Sequence, residues 1–169
     1  MKTTTIPYVF ALLLILISGC AKDEAEVPEV LQTADITANE FPQSQAQIEE
    51  TIDEIFMSIQ EKDADRLISF HLYGPKFTEF KDGEHRTGSA ENEAAERGLI
   101  GAISSFEYDL NDLKIDVFYG NVGKVTFHAD FRPTIGGQQF QQLGQVTLIF
   151  VRVGKDWKIV HEHFSPLLE

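Results

Sequence analysis

The stretch GKDWKIVHEHFSP, residues 154–166, determines how the second half of the chain folds. Its Gly-Lys-Asp opening is a turn signal, and the apolar and polar residues after it alternate as in a β-strand. Three longer strands are predicted before it, at residues 107–119, 124–135 and 138–153. Gly120-Asn121 and Gly136-Gly137 turn the chain between these strands. Because such short loops join antiparallel neighbours, we expect an antiparallel meander.

Helical signals dominate the part of the chain that precedes these strands. Ser44 is placed to cap a first helix, whose apolar residues recur at three- and four-residue steps. These apolar residues are Ile48, Ile52, Ile55, Phe56 and Ile59. A second, short helix is predicted at residues 64–73, where Tyr73-Gly74-Pro75 stops it.

A short hairpin and a third helix are predicted to follow. The strands at residues 76–80 and 84–88 meet at Asp82-Gly83, a strong tight-turn signal. Ser89 then begins a third helix, with Ser89 and Asn92 placed for capping. Helices first and a long sheet last predict an α+β domain whose curved antiparallel sheet wraps around the N-terminal helices. Such a sheet leaves a cavity at its open end, where ligands usually bind.

The N-terminal region is predicted to be a targeting signal followed by a flexible tether. Residues 1–20, MKTTTIPYVFALLLILISGC, hold one cation and an apolar run typical of a secretory signal, too short to span a bilayer. Residues 21–43 are polar and acidic, as in a flexible tether, and the domain is expected to occupy residues 44–169. Cys20 is the only cysteine, so an internal disulfide is impossible.

The motif ISGC, residues 17–20, resembles the lipobox of bacterial lipoproteins. The resemblance implies cleavage before Cys20 and lipidation of its thiol, which would anchor the protein in a membrane. Lys22-Asp23-Glu24 resembles a surface-export signal of Gram-negative lipoproteins, and the absence of Asp after Cys20 fits sorting to the outer membrane. We therefore expect an outer-membrane lipoprotein, facing either the periplasm or the cell surface.

The charge balance excludes one class of partner. The chain has 14 Lys and Arg against 27 Asp and Glu, a formal net charge of −13. Such a field repels phosphate backbones, so nucleic-acid binding is not expected.

Two segments carry a resemblance to a known superfamily. EKDADRLISFHLYGPKFTEF, residues 61–80, and the closing stretch at residues 154–166 resemble the nuclear transport factor 2 and ketosteroid isomerase superfamily, in particular its SnoaL-like branch. The closing strand is also similar to that of the association domain of calcium/calmodulin-dependent kinase. The resemblance implies a cone-shaped α+β barrel that is usually a homodimer. It implies no single reaction, because this cone hosts isomerases, cyclases, dehydratases and binding modules.

The catalytic positions of the ketosteroid isomerases are not retained. Lys81 stands where the isomerases have their aspartate base, and Asp82 lies in a turn that would leave it solvated. Ile55 and Phe56 stand near the position of their tyrosine donor. Steroid isomerisation is therefore not expected.

A similar comparison applies to the arginines with which the kinase association domain holds small carboxylates. Arg132 falls on one of these positions, whereas Leu148 and Phe164 fall on two others. One cation in place of three implies a weaker or different ligand.

The closing strand carries two of the five histidines. Strand periodicity places His161 and His163 in one row with Trp157 and Ile159, and Glu162 and Phe164 on the opposite face. A zinc site would need a third ligand, for which His71, His85 and His128 are candidates. No spacing forces these residues to converge, so neither a metal nor a cofactor is expected. An acid/base role and a structural role for the histidine pair stay open.

The strand at residues 124–135 carries a second polar row, His128, Asp130 and Arg132, opposite Phe127, Ala129 and Phe131. The match of Arg132 to a pocket arginine favours a row that faces the cone, and hydrophobicity favours one that faces outward. The predicted ligand pocket comprises Tyr73, Phe77, Phe80, His128, Arg132, Glu162 and Phe164. Candidate general bases are His128, His161 and His163.

Two functions are compatible with this sequence. The first is a lipid-anchored envelope domain that binds a small ligand or a protein partner without catalysis. The second is an enzyme of the cyclase, dehydratase or hydrolase kind with a pocket histidine as general base. A deep cavity with a histidine and a carboxylate within hydrogen-bonding distance would favour the enzyme.

Overall fold

The computed structural model describes residues 38–168. The predicted signal peptide, Cys20 and most of the predicted tether lie outside these described residues. The helices are α1 (Pro42–Gln60), α2 (Ala64–Ser69) and α3 (Ser89–Ala102). The strands are β1 (Thr78–Lys81), β2 (Ile103–Phe118), β3 (Val122–Ile135), β4 (Gln138–Gln139), β5 (Gln142–Val153) and β6 (Asp156–Pro166). Within residues 38–168, no helix has the length and hydropathy needed to cross a membrane.

The strands form one curved, open sheet in the order β1-β6-β5-β3-β2, with β4 paired to β3. The predicted meander is confirmed, because β2, β3, β5 and β6 pair antiparallel with their neighbours. The sheet is nevertheless mixed, since β1 pairs with β6 in parallel. The α+β cone expected from the sequence is therefore confirmed, with one parallel edge strand that the sequence did not indicate.

Helix α1 packs its predicted apolar face against the sheet. It begins at Pro42, two residues before the predicted start, and Ser44 is buried inside the first turn instead of capping it. Proline suits this position because the first helical N–H groups lack intrahelical partners. The Phe56 ring stacks on Tyr108 of β2, with ring centroids 4.3 Å apart.

Helix α2 ends earlier than predicted because the chain after it joins the sheet. Asp63 caps the helix by accepting a hydrogen bond from the backbone N–H of Arg66 at 3.0 Å. The predicted helical end at residue 73 is wrong, since His71 already forms a parallel bridge with Ile159. This bridge fixes His71 against the inner face of β6.

The predicted hairpin is reduced to one strand and a bridge. Asp82 and Gly83 form the expected turn, with φ angles of 51° and 80°. The second strand at residues 84–88 is wrong, because only Thr87 pairs there, with Glu79. Likewise, the strand predicted at residues 138–153 is interrupted between β4 and β5.

Helix α3 begins at Ser89 as predicted, but the two expected caps have other roles. The Ser89 hydroxyl bonds to the backbone of Gly74, accepting from its N–H at 2.9 Å and donating to its carbonyl at 3.1 Å. Asn92 is fully buried on the inner face of the helix. The helix thereby brings a polar side chain into the interior of the domain.

Candidate functional site

A largely apolar cavity lies between the helices and the concave face of the sheet. Its volume is about 120 Å³. Helix α1 contributes Ile52, Ile55, Phe56 and Ile59, and the sheet contributes Phe106, Phe127, Phe131, Leu148, Ile159 and Phe164. An apolar protein cavity of roughly 150 Å³ holds a benzene-sized molecule, so this one suits a ligand of about one ring.

A β-bulge in β6 places Glu162 at this cavity. Phe150 pairs with Ile159 and Ile149 with His161, which leaves Val160 without a partner on β5. The extra residue reverses the alternation of side chains after it. Ile159 and Glu162 consequently face the same interior, where they are 1% and 3% exposed.

The sequence predicted that His161 and His163 share one strand face with Trp157 and Ile159. This prediction is wrong, because the bulge lies between Ile159 and His161. Strand periodicity fails there because two residues of β6 occupy the space of one on β5. His161 and His163 lie on the outer face, where the Phe80 ring sits 6.0 Å and 6.1 Å from their ring centroids.

A chain of hydrogen bonds holds the Glu162 carboxylate in place. The Tyr73 hydroxyl donates to Oδ1 of Asn92 at 2.5 Å, and Nδ2 of Asn92 donates to Oε2 of Glu162 at 3.0 Å. The Glu162 contact fixes which end of the Asn92 amide faces it, because an ionised carboxylate only accepts and therefore requires the amide nitrogen as donor. Asn92 is therefore a positioning residue for Glu162.

His71 completes the pair with Glu162. Its Nε2 lies 3.0 Å from Oε1 of Glu162, and its Nδ1 lies 3.2 Å from the carbonyl oxygen of Leu67. A carbonyl can only accept, so Nδ1 carries a proton. Burial opposes the charged form of His71, but the hydrogen bond and negative charge of Glu162 outweigh it and raise the pKa of His71. When His71 is protonated, it forms a buried ion pair with Glu162.

Glu96 is the remaining acid at the cavity. It lies on α3 one turn after Asn92, is half-buried, and lines the cavity together with Leu99. Burial, and then the negative charge of Glu162, raise the pKa of Glu96 to about 7. Within residues 38–168, no hydrogen bond from another side chain holds its carboxyl group. Glu96 therefore faces the cavity with a pKa close to neutral pH.

The same three side chains form the one group within residues 38–168 that has the composition of a metal site. Ligand atoms of His71, Glu96 and Glu162 lie within 4.8 Å of one another. Both ring nitrogens of His71 are already hydrogen-bonded, to Leu67 and Glu162. A metal ligated by Nε2 of His71 would have to displace the bond to Glu162, whereas the bond from Nδ1 to Leu67 could remain.

The seven residues predicted to line the pocket are distributed over both faces of the sheet. Glu162 and Phe164 line the cavity. Tyr73 stands behind it as the donor to Asn92, and Phe77 packs edge-on against the Tyr73 ring with centroids 4.9 Å apart. Phe80 lies on the outer face beside the paired histidines of β6.

The polar row of β3 faces outward, which settles the alternative left open by the sequence. Phe127, Ala129 and Phe131 belong to the core and its margin, as hydrophobicity favours. Arg132 pairs on the outer face with Asp130 at 2.6 Å and with Asp109 at 2.8 Å. His128 lies in an outer depression that includes His163 but not the interior cavity. The expectation that His128 and Arg132 share a pocket with Glu162 is therefore corrected.

Sequence reasoning missed Asn92 and Glu96, and it named His71 only as a possible metal ligand. Asn92, Glu96 and Ile100 are four residues apart and therefore lie on one face of α3. This spacing could have indicated that the two polar side chains point inward with Ile100. No local signal pairs His71 with Glu162, since 91 residues separate them.

Comparisons with known proteins agree with this fold. A family model described as a SnoaL-like domain matches residues 48–169. A search of curated proteins found no match to this chain. Among solved structures, a proposed dehydratase of the NTF2-like family from Streptomyces avermitilis is 20% identical, with a TM-score of 0.68 over 76% of this chain and 99% of that one.

A second similar structure is an NTF2-like superfamily protein from Salmonella enterica. It is 21% identical, with a TM-score of 0.66, and the alignment covers 76% of this chain and 94% of that chain. At these identities the two structures support the fold alone, and the chemistry must be argued from the cavity.

Proposed function

Because this chain belongs to the SnoaL-like domain family, we propose that its domain binds a small, mostly apolar molecule in the interior cavity and that Glu96 exchanges a proton with it. The location of Glu96 carries this proposal. It is an acid with a pKa raised to about 7 that lines a largely apolar cavity and faces the space a ligand would occupy.

The surroundings of Glu96 suit general acid–base catalysis. A catalytic group works best when its pKa lies near the working pH, because the reactive protonation state is then populated and still reactive. Apolar walls exclude water and so strengthen the effect of each charge on a bound molecule. Burial and the negative charge of Glu162 favour the protonated form of Glu96, whereas the charges of His71 and Lys81 oppose it.

The reaction class that follows is proton transfer at a carbon next to a carbonyl group. Ionised Glu96 would remove a proton from such a carbon, and the protonated acid would return a proton to the same or a neighbouring carbon. His71 is less suited to this role than Glu96, because both of its ring nitrogens are committed to hydrogen bonds. The proposed base is therefore a carboxylate from α3 and not one of the histidines of the sheet.

A second candidate function is binding without turnover. The side chains at the catalytic positions of the isomerases favour this function. Ile55 and Phe56, near the position of the tyrosine donor, are apolar cavity wall, and Lys81, at the position of the aspartate base, is a cation. Neither Ile55 nor Phe56 offers a donor that would stabilise an enolate. The two candidates differ in one measurable property, the transfer of a proton to the bound molecule.

Deuterium exchange into cyclohexanone tests the proposal. The full chain is incubated with cyclohexanone in D₂O at pH 7, and NMR follows the loss of hydrogen from the carbons beside the carbonyl group. We expect exchange above the buffer rate, reduced about 100-fold or more in Glu96→Gln, since general acid–base groups contribute about 10²–10⁴. His128→Asn and His163→Asn serve as controls on the outer face, and both should retain exchange.

The outcome separates the two functions. Saturable binding of cyclohexanone with exchange no faster than buffer would identify a binding module and overturn the role of Glu96. Exchange that survives Glu96→Gln but is lost in His128→Asn or His163→Asn would move the chemistry to the outer face of the sheet.

We also propose that the domain works at a membrane surface, held by a lipid on Cys20. This rests on the ISGC motif and on the acidic segment that separates it from the domain. The outer membrane is the proposed location, in keeping with the residues after Cys20. A homodimer through the outer sheet face is likewise proposed from the family resemblance.

A further inference from the structure

Lys81 brings a positive charge to the mouth of the cavity. It is the last residue of β1, pairs with Phe164 of β6, and lines the cavity with an exposed side chain. Its Nζ atom lies 5.8 Å from the centroid of the Phe164 ring, which is also cavity wall. The ammonium group is thus held over an aromatic face at the entrance.

Within residues 38–168, no carboxylate forms an ion pair with this ammonium group, although Lys81 lies near enough to Glu96 to lower its pKa. The lysines with ion pairs in that part of the chain are Lys114 and Lys124, both with Asp116 on the outer part of the sheet. The absence of a partner is notable because acidic residues outnumber basic ones, 27 to 14. An unpaired cation beside a cavity is available to a ligand.

The charges that line the cavity sum to a positive value when Glu96 is protonated. When His71 is protonated, its positive charge cancels the negative charge of Glu162, 3.0 Å away. Protonated Glu96 is neutral, which leaves Lys81 as the one uncompensated charge among the cavity-lining side chains. A neutral ligand would leave this charge unused, whereas an anion would pair with it.

We infer that the preferred ligand is a small monocarboxylate with an apolar, ring-sized body, whose carboxylate pairs with Lys81 at the mouth while its body fills the cavity. This inference rests on the proposed ligand cavity but not on catalysis by Glu96. It assigns Lys81 as a specificity-determining residue. The orientation it implies places the carbon next to the carboxylate or its ring toward Glu96.

Paired ligands that differ in charge test the assignment. Benzoate and benzyl alcohol are titrated into the full chain at pH 6, and calorimetry or ligand-observed NMR gives the two dissociation constants. We expect benzoate to bind about fivefold more tightly, the discrimination that a partly exposed ion pair provides. Lys81→Met should abolish the preference while leaving the affinity for benzyl alcohol within about twofold.

Matched variants separate this role from a structural one. Lys81→Arg should restore the preference, because it restores the charge. Lys155→Met removes an exposed lysine from the turn before β6, outside the cavity, and should keep the preference. Equal affinities in the unmodified chain, or a preference that persists in Lys81→Met, would overturn the inference.

The pH dependence of benzoate binding gives an independent measurement. Glu96 is faced by Glu162 of β6, by His71 after α2, and by Lys81 and Glu79 of β1. When Glu96 ionises it repels a bound anion, so benzoate affinity should fall between pH 6 and pH 8, and Glu96→Gln should reduce this fall to the part that comes from loss of the His71 proton. Binding of benzyl alcohol without any preference for benzoate would refute the ligand class alone, and binding of neither molecule would refute the cavity proposal as well.

Discussion

Nε2 of His71 lies 3.0 Å from Oε1 of Glu162, and both side chains are almost completely removed from solvent, at 1% and 4% exposure. The contact joins the segment after α2 to the bulged strand β6 beneath the cavity. Two opposite charges buried together are stable only when their remaining hydrogen-bonding capacity is used, which Leu67 and Asn92 achieve. The same contact therefore holds two segments of the domain together and places charged groups at the cavity.

Replacing Glu162 should separate the loss of charge from the loss of hydrogen bonding. Glu162→Leu leaves Nε2 of His71 and Nδ2 of Asn92 buried without a partner, and we expect the free energy of unfolding to fall by about 3–5 kcal/mol. Glu162→Gln can still accept from Asn92 and can donate to a neutral His71, so less than half of that loss is expected at pH 8. Urea denaturation measures both changes, and NMR titration should show a lowered pKa for His71 in Glu162→Gln. Equal losses in the two variants would contradict the hydrogen-bond network.

Glu96 should make the stability of the domain decrease as pH rises. The folded state holds the Glu96 proton up to a pKa of about 7, whereas the unfolded chain releases it near the ordinary glutamate pKa of 4.5. The folded state therefore binds more protons between these values, and the free energy of unfolding falls as pH increases through that window. His71 acts in the same direction, because its pKa is raised and its contribution is lost above its folded pKa.

The measurement is urea denaturation at pH 5, 6, 7 and 8. Glu96→Gln cannot ionise, so its stability relative to the unmodified chain should increase with pH, by roughly 1–3 kcal/mol from pH 5 to pH 8. Glu49→Gln changes an exposed carboxylate of α1 and should give a nearly constant difference within about 0.5 kcal/mol. A constant difference for Glu96→Gln as well would show that this acid titrates normally.

Two glycines should respond in opposite directions to alanine. A Cβ atom at Gly123 of β3 would overlap the Cδ1 atom of Ile48 on α1, so Gly123→Ala should displace the buried Ile48 side chain from its packed position. We expect a loss of about 1–3 kcal/mol in the free energy of unfolding. Gly98 lies inside α3, where an added Cβ atom would meet no other atom within 4 Å, and Gly98→Ala should add about 0.5–1 kcal/mol. Thermal denaturation of both variants tests the close approach of α1 to β3, which a stabilised Gly123→Ala would disprove.

Cys20→Ser should release the protein from membranes. If the thiol of Cys20 carries the lipid, serine cannot be modified in its place, and the acidic segment after it offers no other anchor for an anionic surface. Fractionation of cells that express both forms is the measurement. Continued membrane association of the serine variant would contradict lipidation at this residue.

Several elements of the fold could be predicted because their signals are local. The apolar spacing of α1 follows from Ile48, Ile52 and Ile59, and the meander follows from the glycine turns between strands. The same periodicity correctly favoured Phe127 as an inward residue of β3. These patterns depend only on the backbone geometry of helices and strands, which is the same in every protein.

The sequence by itself thus determined the order of helices and strands, the α+β class and the family resemblance, since each depends on residues close together in the chain. Only the tertiary structure decided the site. The unpaired residue Val160 turned Glu162 inward and His163 outward, and a contact across 91 residues joined His71 to Glu162. One extra residue in a strand reverses the face of every side chain after it, and its presence depends on how β6 pairs with β5 and not on its own sequence.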